Sequence, residues 1–413
     1  MSFQATASST TPEALALHGG RPVRETLLAY GRHTVTEEDI QAVAEVLRSD
    51  WLTTGPKVKE FEEAVAHDVG ARHAVAFSSG TAALHAAVFA AGLGPGDEAI
   101  TTPLTFCATA NCLLYQGATP VFADVEAETL TIDPDAIAHH LTPRTKALLP
   151  VDYAGHPAAL DAILQLADRH GLIVIEDACH ALGAEYRGRR VGSLSHMTVF
   201  SCHPVKQVTT GEGGIVTTDH PEFVRRLRLF RNHGIDRDPR GRQSGSTWIY
   251  EMVALGYNYR LTDIGCALGL SQLRRLDATL ARRRVIAQAY AEALRTVAGV
   301  RMPPERTDVR SSWHLYPIRL ELESLRATRA EIFRALRAEN IGVNVHFIPV
   351  HHHPYYRSRF GDRGGQYPVA EDAYERLLSL PIFQGMTDRD VEDVIKSVAK
   401  VLGHYLGSSG GSA

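Results

Sequence analysis

The chain is poor in the residues that build metal clusters and disulfide frameworks. Among 413 residues there are five cysteines, five methionines and three tryptophans. Cys107, Cys112, Cys179, Cys202 and Cys266 are odd in number, sit in apolar surroundings and show no Cys-x-x-Cys spacing. That excludes a zinc ribbon, a dithiol redox centre and a disulfide scaffold, and we read them as reduced packing residues. No run of 18 apolar residues occurs, since the longest small-residue stretch, Ala82–Gly94, is interrupted by His85. A membrane span is therefore not expected. Charge of one sign is lacking too: lysine plus arginine number 43 and aspartate plus glutamate 47, a formal net charge of −4. Without an overall basic field, nucleic acid is not an expected partner. Met1–Thr11 has neither the basic nor the apolar part of a leader segment, which makes a mobile arm and a cytoplasmic location the expectation. No Gly-x-Gly-x-x-Gly follows the first strand and no His-Glu-x-x-His occurs, so dinucleotide and zinc-hydrolase chemistry lack support.

What is present reads as a folded chain with more length than one core needs, 44% hydrophobic and 22% charged. Thr36 with Asp39 forms a capping box ahead of Ile40, Val43, Ala44 and Leu47 at helical spacing. Short apolar runs then alternate with helical ones. His73–Phe77, Glu98–Thr102, Thr119–Val125, Ala147–Val151, Leu172–Ile175 and Thr198–Ser201 read as strands, which predicts α/β with a largely parallel sheet. Thr262 to Leu294 reads as one long helix, with Leu273, Leu276 and Leu280 on one side and the run Arg282-Arg283-Arg284 on a solvated face. Beyond Val300, strand Leu315–Leu320 and helices Arg329–Arg337 and Asp388–Val401 predict a smaller α+β unit. The expected organisation is an arm over 1–30, a large domain over 31–255, a small C-terminal domain over 256–405 and a flexible Gly/Ser-rich tail over 406–413.

Three stretches point to chemistry. Phe77-Ser78-Ser79-Gly80-Thr81 follows a strand and opens the Ala-rich helix Ala82–Ala91. Unsatisfied amides and the helix dipole favour an anion there, although an ordinary strand-to-helix turn would look the same. Val174-Ile175-Glu176-Asp177-Ala178-Cys179-His180 runs a buried strand into acids and a histidine. An aspartate in that position needs a cation or several donors, and a protonated pyridine nitrogen would serve; a helix-capping Asp and a packed core His are the bland alternatives. In Phe200 to Gly214 a lone lysine, Lys206, stands between apolar strands among glycines, a setting that strips hydration from an amine and prepares it for Schiff-base chemistry. A phosphate cradle, an acid for a pyridinium and a desolvated lysine together are what pyridoxal 5′-phosphate requires.

With those residues in view, the sequence resembles the DegT/DnrJ/StrS family of pyridoxal-phosphate sugar aminotransferases from about Thr36 to Leu402. The matching stretches are Trp51-Leu52-Thr53-Thr54-Gly55-Pro56, Ser79-Gly80-Thr81-Ala82-Ala83-Leu84, Gly96-Asp97-Glu98, Glu176-Asp177, Ser201 through Gly214, and Gly256-Tyr257-Asn258-Tyr259-Arg260-Leu261-Thr262-Asp263. The resemblance implies the fold type I architecture, a large domain with a mostly parallel seven-stranded-type sheet plus a smaller C-terminal α+β domain, working as a homodimer. It also implies residue roles. Lys206 is the cofactor lysine and the acid/base, Asp177 the pyridinium partner, and His180 a neighbour of the phenolic oxygen. Phe106 stacks on the ring face, and Gly80, Thr81 and Ser201 hold the phosphate, with Asn258 reaching it from the partner subunit.

Within the family the likeness is closest to the UDP-4-keto-6-deoxy-sugar C4 aminotransferases of the pseudaminic acid route, through Val151-Asp152-Tyr153-Ala154-Gly155-His156-Pro157 and Gly342 through His351. Cys202 stands where relatives commonly carry Phe, and Phe347 where Tyr is common. Glutamate as amine donor and a nucleotide-linked 4-keto sugar as acceptor are what this implies. Other nucleotide-linked keto sugars and a non-catalytic cofactor-binding regulator stay as alternatives, whereas a sugar dehydratase of the family would carry His in place of Lys206. His351-His352-His353 reads as a contact loop rather than a metal site, and no metal is expected; Glu212 either borders the site or serves its turn.

Overall fold

The computed structural model describes residues 14–236 and 248–406. The arm expected at Met1–Thr11 and the tail from Gly407 lie outside the described residues. Seven strands form the central sheet: β1 (His73–Phe77), β2 (Glu98–Thr101), β3 (Thr119–Phe122), β4 (Thr145–Leu149), β5 (Ile173–Asp177), β8 (Met197–Ser201) and β9 (Gly214–Thr218). Between β5 and β8 come two short pieces, β6 (Glu185–Tyr186) and β7 (Arg189–Arg190). The order is β1-β9-β8-β5-β4-β2-β3, with β9 antiparallel to both neighbours and the other pairings parallel. The expected mostly parallel sheet is therefore present. The strand ends differ from the expected ones by a few residues. The third strand stops at Phe122 because the Asp124 carboxylate takes the N–H groups of Val125, Val369 and Ala370 and turns the chain out of the ladder.

Helices cover both faces because they follow the strands with apolar stripes of their own. Helix Gly80–Ala91 is capped by Ser79, whose Oγ accepts from the Ala82 N–H at 3.1 Å, and nine of its residues are buried against β1, β8 and β9. The helix at Glu37–Leu47 starts where Thr36 predicts, the N–H of the capping Thr36 itself held by the Asp39 carboxylate at 2.9 Å.

One expectation fails here. Thr262–Leu294 is two helices, Asp263–Leu273 and Leu276–Leu294, broken at Arg275 (φ −104°, ψ 5°), whose guanidinium is drawn to the buried carboxylate of Asp39. The first packs against helices Glu37–Leu47 and Pro56–Val69, and the second runs into the C-terminal core. A second correction concerns the arginine run. Arg283 is not solvated: it is 1% exposed, and its Nη1 donates to the carbonyls of Trp313, His314 and Ile382 at 3.0, 3.2 and 3.0 Å.

The C-terminal part pairs β10 (Val300–Arg301), β12 (Tyr316–Leu320) and β13 (Leu377–Leu380) under helices Arg329–Ala338 and Asp388–Tyr405, while β11 (Val309–Arg310) joins β6. Its core also takes in Leu15 and Leu28, so the described part of the N-terminal segment is docked on it: the Leu28 N–H donates to Asn340 and its carbonyl accepts from Gly342.

Candidate active site

The carboxyl ends of β1, β5 and β8 lie at one edge of the sheet, and the sequence-predicted residues collect there. Phe77 pairs with Gly214, Gly214 with Ser201, and Asp177 with Val199. Gly80 begins its helix directly against Ser201. A Cβ on Gly80 would sit 3.0 Å from Ser201 Cβ, 3.2 Å from its Oγ and 3.5 Å from Cys179 Sγ. A larger residue there would push the Ser201 side chain aside by a few tenths of an ångström, so glycine keeps the helix N-terminus and the Ser201 hydroxyl this close, and Thr81 supplies the next amide.

Asp177 ends β5 buried, and neutral donors hold it. Thr109 Oγ1 donates to its Oδ2 at 2.7 Å and itself accepts from Thr105 Oγ1 at 2.8 Å; the Cys179 N–H reaches Oδ1 at 3.2 Å. Two donors fix the carboxylate in place while leaving it without an ion pair among the described residues. Lys206 follows β8 in the tight loop that closes with Cys202 N–H to Gly213 C=O at 2.8 Å and Thr210 N–H to Cys202 C=O at 3.0 Å. Its amine makes no hydrogen bond among the described residues. Burial pulls its pKa below 10.5, opposed by Cys179 and Asp177.

His180 is buried, and its Nδ1 has no partner. Its ring lies 4.4 Å from that of His314 and 5.9 Å from Phe347, and Phe347 in turn is 6.0 Å from Phe106. Phe106 exposes 56% of its surface, an aromatic face open to the site. Burial first, then the nearby Lys206, pushes His180 and His314 well below the usual histidine range, so both imidazoles are neutral. Asn258 stands apart: its side chain is exposed and bonds to none of the others, although the segment is pinned by the Ser78 N–H to Tyr259 C=O bond at 2.8 Å. Glu212 is exposed in the loop turn, where its carbonyl accepts from Thr210 Oγ1.

Several neighbours were not singled out from the sequence: Thr109, Gln207, Ser312, His314 and His346. Gln207 Nε2 donates to the His180 carbonyl at 2.8 Å and to Ser312 Oγ at 2.9 Å, tying the lysine loop to the C-terminal part. His346 accepts or donates at Nδ1 with Ser379 Oγ at 2.8 Å. Thr109 could have been found, since it lies three residues after Phe106 on the next helix. Gln207 follows Lys206 directly, but only the fold shows that it reaches His180 and Ser312; Ser312, His314 and His346 come from distant sequence and carry no spacing signal.

His351, His352 and Glu371 bring potential ligand atoms within 4.8 Å of one another. Here the carboxylate is already engaged, accepting from His351 Nε2 at 3.1 Å, from Gly365 N–H at 2.9 Å and from Tyr367 N–H at 3.3 Å. The geometry ties down a loop.

Pyridoxal phosphate fits the residues at the sheet edge. The Gly80–Ser201 cradle suits a phosphate, the Asp177 carboxyl makes no ion pair among the described residues, the orphaned His180 Nδ1 has spare hydrogen-bonding capacity, and the Lys206 amine makes no hydrogen bond among them. Fold and site thus define a fold type I pyridoxal-phosphate enzyme. The chain belongs to the DegT/DnrJ/EryC1/StrS aminotransferase family, whose model matches residues 33–399. It is 45% identical over 381 residues to the spore coat polysaccharide biosynthesis protein SpsC of Bacillus subtilis, covering 92% of this chain and 98% of that protein. Among solved structures, Helicobacter pylori PseC, an aminotransferase involved in the biosynthesis of pseudoaminic acid, superposes with a TM-score of 0.86 at 33% identity, covering 92% and 100% of the two chains. The PLP-form of Spr1654 from Streptococcus pneumoniae, a candidate sugar aminotransferase, gives 0.86 at 30% identity over 92% and 100%. The protein is a pyridoxal-phosphate-dependent sugar aminotransferase. Among the described residues no helix is long and apolar enough to cross a membrane.

Proposed function

We propose that the enzyme transfers an amino group from L-glutamate to C4 of a nucleotide-linked 4-keto-6-deoxy sugar, a UDP-linked N-acetylhexosamine being the first candidate, in two half-reactions. The reading includes a homodimer in the cytoplasm, a large domain over 31–255 and a small one over 256–405. The observation that carries it is the meeting of Lys206, Asp177 and the Gly80–Ser201 cradle at one sheet edge. The sugar is supported by the likeness to PseC and SpsC.

The cofactor, when bound, supplies the electron sink that allows an amino group to leave one carbon and arrive at another. The protein residues do the rest. Asp177, fixed by Thr109 and Cys179, accepts the ring N–H and keeps that nitrogen cationic. Gly80 and Thr81 by their amides, and Ser201 by its hydroxyl, hold the phosphate, with Asn258 from the second subunit. Phe106 presents a ring face, and His180 sits beside the phenolic oxygen. Lys206 takes a proton at the donor carbon and returns one at the acceptor carbon, a task suited to an amine whose burial makes it neutral at lower pH than an ordinary lysine. A visible spectrum tests the first half: glutamate should convert the lysine-linked absorption band of purified holoenzyme into that of the aminated cofactor. Mass spectrometry over a panel of nucleotide-linked keto sugars then reads the second half. A band that glutamate leaves unchanged would remove the donor assignment, and amination of only non-4-keto sugars would remove the C4 assignment.

A further inference from the structure

Glu176 and Asp177 are successive residues of β5, so their side chains leave the strand on opposite faces. Asp177 points to the active site. On the other face, Glu176 meets Asp152, and both are 0% exposed. Asp152 Oδ1 accepts the Ala158 N–H at 3.0 Å, and Glu176 Oε2 accepts the Thr198 hydroxyl at 2.9 Å. Each has one oxygen left, Asp152 Oδ2 and Glu176 Oε1, without a hydrogen-bond partner of good geometry, and the equally unpartnered Ser195 hydroxyl is the neutral donor that lies beside Glu176. Yet the two carboxyl groups are within hydrogen-bonding reach of each other. The other charge that Asp152 feels is a third carboxylate, Asp177, and among the described residues no lysine, arginine or histidine pairs with Asp152 or Glu176. Two bare carboxylates in a dry interior without a cation cannot both stay ionised, whereas one proton between the orphan oxygens turns two unsatisfied acceptors into a short, charge-assisted bond.

We propose that Asp152 and Glu176 share a single proton, and that this acid pair is the positioning device that holds the carboxyl end of β5, and with it Asp177, in place. The positioning half rests on the reading of Asp177 as the pyridinium partner. The backbone shows how the hold is transmitted. β4 leaves its ladder at Leu149, but Asp177 N–H still donates to Pro150 C=O at 2.8 Å and Asp152 N–H to Asp177 C=O at 3.1 Å. The shared proton closes this extension from the side-chain face. The pair also keeps one negative charge behind Asp177, which favours a cationic nitrogen in front of it. Burial, with mutual repulsion at Asp152, pushes both carboxyls above the usual range, Asp152 furthest. Their contribution to stability is therefore complete below the ordinary carboxylate pKa of about 4 and is lost as pH rises toward the folded value.

The test is infrared spectroscopy of full-length holoenzyme at neutral pH, wild type minus variant, together with cofactor affinity. The wild type should show the C=O stretch of a buried, protonated carboxylic acid. Asp152→Asn and Glu176→Gln should each abolish it while an amide N–H takes the proton's place, leaving cofactor affinity within about threefold. Asp152→Ala strands Glu176 and should weaken cofactor binding by about tenfold or more. Asp152→Asn should also flatten the fall of Tm above about pH 4. Absence of the acid band in the wild type overturns the shared proton. A band present with unchanged affinity in Asp152→Ala overturns the positioning role. Should Asp152→Ala not fold, Asp152→Asn decides alone: an unaltered band or an unaltered pH slope of Tm overturns the proposal. Asp177→Asn with unchanged cofactor affinity and spectrum would instead sink the reading of Asp177, and the acid band is read independently of it.

Discussion

Arg283 and Lys206 both carry charge into the interior, yet one guanidinium nitrogen of Arg283 meets three carbonyl oxygens, while the Lys206 amine meets no hydrogen-bond partner among the described residues. The arginine ties the helix Leu276–Leu294 to the chain at Trp313–His314 and to Ile382. Burial still lowers its pKa to about 10, and carbonyl oxygens hold its charge at Nη1 while its Nε has no partner among the described residues. Around Lys206 the polar groups are turned to one another instead. Asp177 faces Thr109 and Cys179, and Gln207 faces Ser312 and the His180 carbonyl. One charge is anchored by carbonyls at a single nitrogen, while the other sits in a shell of mutually bonded polar groups that leaves its amine unbonded among the described residues, as the proposed role of Lys206 requires.

Substitutions can break this contrast. The largest effect is expected from Lys206→Ala, which should lower turnover by about a thousandfold or more while leaving Tm nearly unchanged, since no bond is lost; steady-state kinetics and calorimetry read the two separately. Arg283→Ala should do the reverse. Three stranded carbonyls and a cavity should cost about 3–5 kcal/mol of stability, seen as a lower urea midpoint. Asp177→Asn should still bind the cofactor but lose a charged hydrogen bond of roughly 1.5–3 kcal/mol, read as a drop in kcat of about one to two powers of ten. The pH profile sharpens the comparison. On the proposed role of Lys206 as the free base, activity should rise through a limb lying below the ordinary lysine value of 10.5, and Lys206→Ala should erase it. The smallest effect belongs to the histidine loop: Glu371→Gln should cost about 1 kcal/mol of stability, with kcat unchanged by the substitution or by a metal chelator.

Much of the site's inventory was legible because strand-loop-helix chemistry is local. Ser79-Gly80-Thr81 announces a helix N-terminus after a strand, and Asp177 announces an acid at a strand end, from neighbours within a few residues. Lys206 was visible for the same reason, lying between two apolar runs. The expectation that failed most plainly, a solvated Arg282-Arg283-Arg284 face, failed because helical spacing says which residues share a side but not what covers it. The helix break at Arg275 was illegible too: neither proline nor glycine marks it, and its cause is Asp39, more than two hundred residues away in the chain.

The sequence by itself determined the alternation of strands and helices, the caps, and the three stretches that name the cofactor, because each depends on short-range periodicity and backbone chemistry. Tertiary structure decided which charges are neutralised and which are left open. Thr109 on Asp177, Ser312 and Gln207 on His180, the carbonyls around Arg283 and the meeting of Asp152 with Glu176 all join residues far apart in the chain. Desolvation and hydrogen bonding act on whatever is adjacent in space, and that adjacency is set only when the sheet closes and the C-terminal part packs against its edge.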